Sequence, residues 1–273
     1  MGISMLLEVD KLSIEFHDHL IPERVVSDVN FTLNEGEILG IVGESGSGKS
    51  MTAHAIAGLL SRHDMKKTGE IRFAGKNLLA CSRTELRKIQ GKDIGIIFQE
   101  PMTSLNPVKK IGWQVGETLR IHTDLSKEEI RKQVLDMLHK VELENPQRVY
   151  EQYPVELSGG MRQRVMIASA MIGKPRILIA DEPTTALDVT IQAQIVKLLK
   201  RLNQTEKTAI LFISHDLSLV QSLCERVIVM QYGKVVERGT STEVFHHPKE
   251  EYTRMLVEAI PKCEYGNSMR EKG

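Results

Sequence analysis

The stretch Gly43-Glu44-Ser45-Gly46-Ser47-Gly48-Lys49-Ser50 brings backbone freedom, one cation and three hydroxyls together within eight residues. It follows the apolar run Ile38-Leu39-Gly40-Ile41-Val42, which reads as a buried strand, and it precedes 51–60, where Ile56, Ala57 and Leu60 recur at helical spacing. Strand, glycine-rich loop and helix in that order are the context in which G-x-x-x-x-G-K-S cradles a phosphate chain. The glycines let backbone N–H groups converge on the anion, and the helix N-terminus behind them adds its partial positive charge. In such a loop Lys49 reaches the β- and γ-phosphates and the Ser50 hydroxyl holds Mg²⁺. The competing reading is a Gly/Ser turn between a strand and a helix.

Asp181 and Glu182 follow a second apolar strand, Ile177-Leu178-Ile179-Ala180. In an open parallel sheet ligands bind outside the C-terminal strand ends, so this acidic pair and the phosphate loop share one crevice. Asp181 is placed to hold Mg²⁺ through its water shell, and Glu182 to polarise a water for in-line attack on the γ-phosphorus. Gln99 and His215 close two further strands at the same edge. An amide can touch Mg²⁺ or its water, and an imidazole can contact a γ-phosphate oxygen. Each alone reads as a polar strand end; with Asp181 and Glu182 they form a constellation.

Leu157-Ser158-Gly159-Gly160-Met161-Arg162-Gln163-Arg164 is a second candidate cradle. Ser158 can cap the helix that follows, Gly159 and Gly160 admit a phosphate to the backbone, and Arg162 and Arg164 add charge on the first turn. One nucleotide rarely needs two cradles from one chain. The expectation is that this one serves a nucleotide held by another subunit; an N-capped surface helix is the alternative.

The elements that position these groups alternate along the chain. Short strands are expected at 6–9, 12–16 and 71–73, and Val29, Phe31 and Leu33 alternate with polar residues as a half-buried strand. Ser82 with Glu85, and Ser126 with Glu129, are capping boxes that open helices, the second carrying the stripe Ile130, Val134, Leu135, Leu138, Val141. Ile94-Gly95-Ile96-Ile97-Phe98 is a buried strand. From about 104 to 172 the pattern is mostly helical and reads as a subdomain inserted into an α/β core. Strands at 177–180, 209–213 and 227–230 then alternate with helices at 189–203 and 217–223, which predicts a mainly parallel sheet covered on both faces. The stretch 241–260 is expected to be helical, and the residues beyond it a loose tail.

Composition narrows the classes. Of 273 residues, 41% are apolar and 26% charged, ordinary for a globular protein. Lys+Arg and Asp+Glu are 36 each, so nothing in the bulk charge supports nucleic-acid binding or a polybasic contact with lipid. No run approaches the ~18 apolar residues of a membrane span. The first eight residues are too soon acidic for a signal peptide. Cys81, Cys224 and Cys263 are far apart and in no metal spacing, and read as idle thiols of a reducing compartment. A membrane role must therefore come through a partner.

Taken in order, Gly43 to Ser50, Gln99, Leu157 to Gln163, Ile177 to Glu182, Ala186-Leu187-Asp188 and His215 resemble the Walker A, Q-loop, signature, Walker B, D-loop and switch-histidine motifs of ABC-type ATPases. The likeness covers about residues 6–240. It implies an α/β ATP-binding cassette with a RecA-like P-loop core, an antiparallel β subdomain and an inserted helical subdomain. As domains, it implies one cassette over 6–262, with the helical subdomain at about 104–172, a C-terminal extension at about 241–262, and a tail at 263–273. By the same resemblance the substrate is ATP and the cofactor Mg²⁺. Gly43 to Ser50 with Met51, Gln99, and Ser158 to Gly160 would bind nucleotide, and Ser50, Gln99 and Asp181 would face the metal. Glu182 and His215 would be catalytic. Phe16 is the best candidate for the aromatic that stacks on adenine, on the rim of a loop running from His17 to Arg24. Two cassettes would sandwich two ATP molecules, each between Walker A of one and the signature of the other.

The stretches 99–107 and 181–192, with His247-Pro248, Tyr252-Thr253 and Ala259-Ile260-Pro261, are similar to the peptide and nickel importer branch. That likeness implies a second, usually different, ABC ATPase subunit, two membrane permeases and an extracytoplasmic substrate-binding protein. The chain would then lie peripherally at the cytoplasmic face of the cell membrane, touching it only through the permeases. Cys263 alone in the tail predicts no iron–sulfur cluster, and His17, His19, His246 and His247 read as solvated loop residues, not as nickel ligands. A DNA-repair or chromosome ATPase would carry zinc motifs or a long coiled coil, a translation factor two cassettes, and a non-hydrolysing regulator would lack Glu182 or the signature.

Overall fold

The structure, a computed structural model, describes residues 4–17, 22–60, 64–99, 104–185 and 187–260. Strands β1 (Met5–Phe16) and β2 (Glu23–Asn34) pair antiparallel and lead to β3 (Ile38–Val42), the glycine-rich loop and helix α1 (Lys49–Ile56). β4 (Met65–Phe73) and the short β5 (Lys76–Asn77) complete a four-stranded sheet of order β2-β1-β4-β5. Helix α2 (Arg83–Ile89) opens on the Ser82–Glu85 capping box, and β6 (Ile94–Ile97) follows. A run of helices comes next: α3 (Ile111–Val115), α4 (Glu117–His122), α5 (Lys127–Lys140) on the Ser126–Glu129 box, α6 (Pro146–Glu151) and α7 (Gly159–Met171). β7 (Ile177–Asp181), α8 (Val189–Glu206), β8 (Ala209–Ile213), α9 (Leu217–Leu223) and β9 (Arg226–Gln231) then alternate. β10 (Lys234–Thr240), α10 (Ser241–His246) and α11 (Glu251–Glu258) end the described chain.

The second sheet has the order β10-β9-β3-β8-β7-β6, parallel except for β10 on β9. Its inner strands β3 and β8, and β7 up to Ala180, carry no polar side chain because each face has its own core. Ile38 and Val42 of β3, Leu178 and Ala180 of β7, and Ile210 and Phe212 of β8 point into one core with the helices α3 to α9. Leu39 and Ile41, Ile177 and Ile179, and Leu211 and Ile213 point into the other, with α1 and the antiparallel sheet. The period-two side-chain alternation of a strand thus sorts consecutive residues into two cores. Burying each such side chain contributes roughly 1.5–3 kcal/mol.

Five local expectations need correction. The strands expected at 6–9 and 12–16 are one strand, β1, with register shifts around Asp10 to Ser13 and Lys11 at φ 48°. β4 begins at Met65, well before 71, because its first half is an exposed, polar stretch without apolar alternation. β10 was not expected; its Lys, Glu and Arg suit an edge strand. The 241–260 helix is two helices, broken at His247-Pro248, since proline disfavours the helical conformation in the residue before it. Within the α5 stripe, Met137 is buried where Leu135 is only half-buried. The 261–273 stretch, including Cys263, lies outside the described residues, as do His19, Pro101 to Thr103 and Ala186.

Candidate active site

Because β3, β6, β7 and β8 are parallel, their C-terminal ends meet at one edge, and each sends out a polar residue there. The loop after β3 has three glycines in the left-handed region, and two of them are also hemmed in by neighbouring backbone. At Gly43, φ is 149° and a Cβ would lie 2.1 Å from the Met230 carbonyl; at Gly48, φ is 94° and a Cβ would lie 2.9 Å from the Val25 carbonyl. Any other residue would strain the backbone and push the loop off β9 and β2. Lys49 is buried and donates to the carbonyls of Gly43 and Glu44, both at 2.7 Å, and to Ser47 Oγ at 3.3 Å. Burial pulls its ammonium below the ordinary range, and Glu182, Asp181 and Glu44 pull it back. Glu44, Ser45 and Gly46 form the exposed tip. Met51 turns its side chain into the second core, which leaves its backbone for the loop side.

The Ser50 hydroxyl donates to Asp181 Oδ1 at 2.9 Å. Asp181 is 2% exposed, and burial raises its carboxyl pKa, against the Ser50 bond and the neighbouring His54. His54 Nε2 lies 3.5 Å from Asp181 Oδ2. It stands four residues after Ser50 on α1, and that i, i+4 spacing was the signal that could have found it.

Glu182 Oε2 is a meeting point. It accepts from Gln99 Nε2 at 2.9 Å and from Thr185 Oγ1 at 3.0 Å, and it lies 3.3 Å from His215 Nδ1. The residue itself sits at φ 48°, a conformation that costs a non-glycine residue energy and that collects at functional sites. Its N–H donates to the Ile213 carbonyl at 2.9 Å, tying the β7 end to β8. Gln99, Asp181, Glu182 and His215 are thus brought together as the sequence predicts, and Thr185 joins them.

The second cradle stands at the N-terminus of α7. Ser158 caps α7 by accepting the Met161 N–H at 3.3 Å. A Cβ on Gly159 would face Leu187 at 3.6 Å, and one on Gly160 would face Ile191 at 3.1 Å, so this stretch leans on the start of α8. Arg164 does not supply charge there, contrary to expectation. It donates to the Val141 carbonyl, to Glu142 and to Gln194, which locks α7 to the end of α5 and to α8. Phe16 is half-buried at the end of β1, opposite Glu23 of β2 and Met65 of β4, at the sheet end where β2 meets Gly48.

The donor set fits a triphosphate and a hard cation. A hydroxyl beside a buried carboxylate is oxygen chemistry of the kind Mg²⁺ takes, next to a glycine cradle and a buried lysine.

Comparison with known proteins agrees with this geometry. The family model described as "ABC transporter" matches residues 26–185. The oligopeptide transport ATP-binding protein OppD of Bacillus subtilis is 48% identical over 263 residues, 96% of this chain and 74% of that protein. The dipeptide transport ATP-binding protein DppD of Escherichia coli is 46% identical over 257 residues, 94% of this chain and 79% of that one. Among solved structures, the dimeric post-hydrolysis state of the ATP-binding cassette MJ0796 bound to ADP and Pi superposes with a TM-score of 0.78 at 31% identity, covering 86% of this chain and 99% of that one.

Proposed function

The chain belongs to the ABC transporter family as an ATP-hydrolysing importer subunit, and from that premise we propose how its site and its partners work. Its relatives are named for oligopeptide and dipeptide transport, and peptides are the cargo carried over to this chain. The observation that carries the reading is the shared Glu182 oxygen, touched by Gln99, Thr185 and His215 beside the Ser50–Asp181 pair.

ATP is the substrate. Lys49 exchanges its two carbonyl partners for β- and γ-phosphate oxygens, and the N–H groups of 45–51 cradle the phosphates. Ser50 and Asp181 would hold Mg²⁺, with Gln99 beside it, and the ion would supply charge neutralisation to the phosphate chain. Glu182 takes the proton of the attacking water, and His215 contacts the γ-phosphate. Phe16 offers the base a stacking face. Ser158, Gly159 and Gly160 close on a nucleotide held by the partner cassette, which makes catalysis depend on pairing. ATP binding closes the pair and moves the membrane subunits, and hydrolysis reopens it.

The division proposed is one cassette over 6–262, with a helical arm at about 104–172 and a C-terminal extension at about 241–262. The working assembly would contain a second, unlike cassette, two permeases and an extracytoplasmic binding protein. The position proposed is peripheral, on the permeases at the cytoplasmic face; among the described residues no helix is long and apolar enough to cross a membrane.

The test is reconstitution of the whole transporter in vesicles, with uptake of labelled di- and oligopeptides and of nickel measured against ATP hydrolysis. Peptide uptake that stops with Lys49→Ala supports the reading. Nickel uptake alone would replace the cargo, and uptake indifferent to ATP would overturn the role.

A further inference from the structure

Tyr252 stands on α11, 208 positions from Glu44, yet its phenol oxygen accepts the Glu44 N–H at 3.1 Å. The ring is 7% exposed, packed into the core on the helix side of the parallel sheet. The Glu44 N–H and the Gly43 carbonyl belong to one trans peptide unit, so they point in opposite directions. Lys49 takes that carbonyl at 2.7 Å, and Tyr252 holds the N–H at the other end. This peptide is the first of the phosphate loop, and it follows a glycine whose backbone resists rotation less than any other residue's.

The helix is anchored in turn from the sheet. Glu237 on β10 is buried, and its carboxylate accepts the N–H groups of Lys249 at 2.9 Å and Glu250 at 3.1 Å, fixing the entry to α11. A continuous chain of contacts therefore runs from β10 through the start of α11 to the root of the phosphate loop. If the loop binds ATP as proposed above, Lys49 must leave the Gly43 carbonyl to reach the phosphates. The 43–44 peptide then keeps its orientation through the Tyr252 bond.

We propose that Tyr252 is a positioning residue for nucleotide binding: its hydroxyl prevents the Gly43–Glu44 peptide from turning over, so that docking of the C-terminal helix sets the affinity of the site for ATP. The hydroxyl touches no reacting atom, so it acts on binding and not on the chemical step. Linkage makes the effect reciprocal: ATP must hold α11 down by the same factor by which a docked α11 tightens ATP.

The test compares the full chain with Tyr252→Phe, which keeps the ring and removes only the hydroxyl. Leu256→Ala, on the same helix and packed against the same core, controls for loosened packing. In the complete transporter, Tyr252→Phe should raise the KM for ATP about threefold to tenfold, the range of one net hydrogen bond, with kcat within about twofold. Hydrogen exchange on the isolated full chain should show the fastest exchange at the Glu44 amide in Tyr252→Phe, and slower opening of α11 when ATP is added to the wild type. Leu256→Ala, which keeps the hydroxyl, should raise KM less than Tyr252→Phe does and speed Glu44 exchange less. An unchanged KM in Tyr252→Phe, an equal KM shift in Leu256→Ala, or a fall in kcat without a change in KM would each overturn the proposal. If the wild-type chain itself fails to bind ATP, the reading of the loop falls first, and that outcome is separately visible.

Discussion

Gln99 donates its amide N–H to Glu182 Oε2 at 2.9 Å across 83 positions of sequence, which ties the end of β6 to the end of β7. The same oxygen lies 3.3 Å from His215 Nδ1. One carboxylate therefore senses three strand ends, and the general-base role proposed for Glu182 would draw on a side chain already oriented by these contacts.

Glu182→Gln tests that role. The amide keeps the size of the side chain and can still meet its neighbours, but it cannot accept a proton. ATP binding should survive and turnover should fall by about a hundredfold or more, the usual contribution of a positioned base. Equilibrium binding and single-turnover hydrolysis separate the two effects. Turnover within about twofold of wild type would exclude Glu182 as the base.

The stretch from Gln99 to Leu119 starts in the crevice and ends in the helical region, so contact with γ-phosphate can move it as a lever against a membrane subunit. Its surface carries Val108 at 75% and Trp113 at 43% exposure, with Lys109 Nζ 4.9 Å from the Trp113 ring centre. Lys109→Glu should uncouple peptide uptake while leaving basal ATPase activity intact. Site-directed crosslinking to the permeases checks the location. Crosslinks confined to 241–260 would refute it.

What the sequence made legible was local. Capping boxes at Ser82–Glu85 and Ser126–Glu129 form as their spacing predicts, because both partners lie within one turn. Strand ends bearing Asp181 and His215 meet because parallel strands share an edge. The Tyr252–Glu44 bond was not legible, since no periodicity relates residues 208 positions apart. Arg164 misled for a related reason: its type and helix position suited a phosphate, and only the packed neighbours Val141, Glu142 and Gln194 take it away. The first half of β4 and the whole of β10 escaped because edge and exposed strands lack the apolar alternation that marks buried ones.

Cys224 sits under β3, where a Cβ on Gly40 would lie 3.0 Å from its sulfur and 2.6 Å from Val220 Cγ1. Burial, with Glu225 nearby, pushes the thiol well above its ordinary range. A thiol without thiolate is a poor nucleophile. In the native protein Cys224 should resist maleimide while half-buried Cys81 reacts, and both should react in denaturant; mass spectrometry of the peptides reads the order. Gly40→Ala should lower stability by about 1–3 kcal/mol through overpacking against α9, measurable by urea unfolding. Labelling of native Cys224 as fast as Cys81 would contradict the packing.

Pairing can be tested without the transporter's other parts. Lys49 and the phosphate loop sit at the end of β3, whereas Ser158, Gly159 and Gly160 lean on Leu187 and Ile191. The two cradles are on different parts of the chain, and the reading proposed is that a γ-phosphate lying between them is shared by two chains. Activity should then rise more steeply than linearly with protein concentration while dimers are scarce. Lys49→Ala lacks the first cradle and Ser158→Arg blocks the second. If two copies of this chain form the working pair, mixing the two inactive variants leaves one intact composite site in each mixed dimer, and part of the activity returns. If the proper partner is an unlike cassette, both variants compete for the same seat and neither can rescue the other. The expectation is no rescue in the purified single protein. For the same reason, either variant should remain inactive beside the unlike partner at the site that uses its damaged cradle. Rescue at a rate near that of the whole transporter would sink the unlike pair and leave the composite site standing.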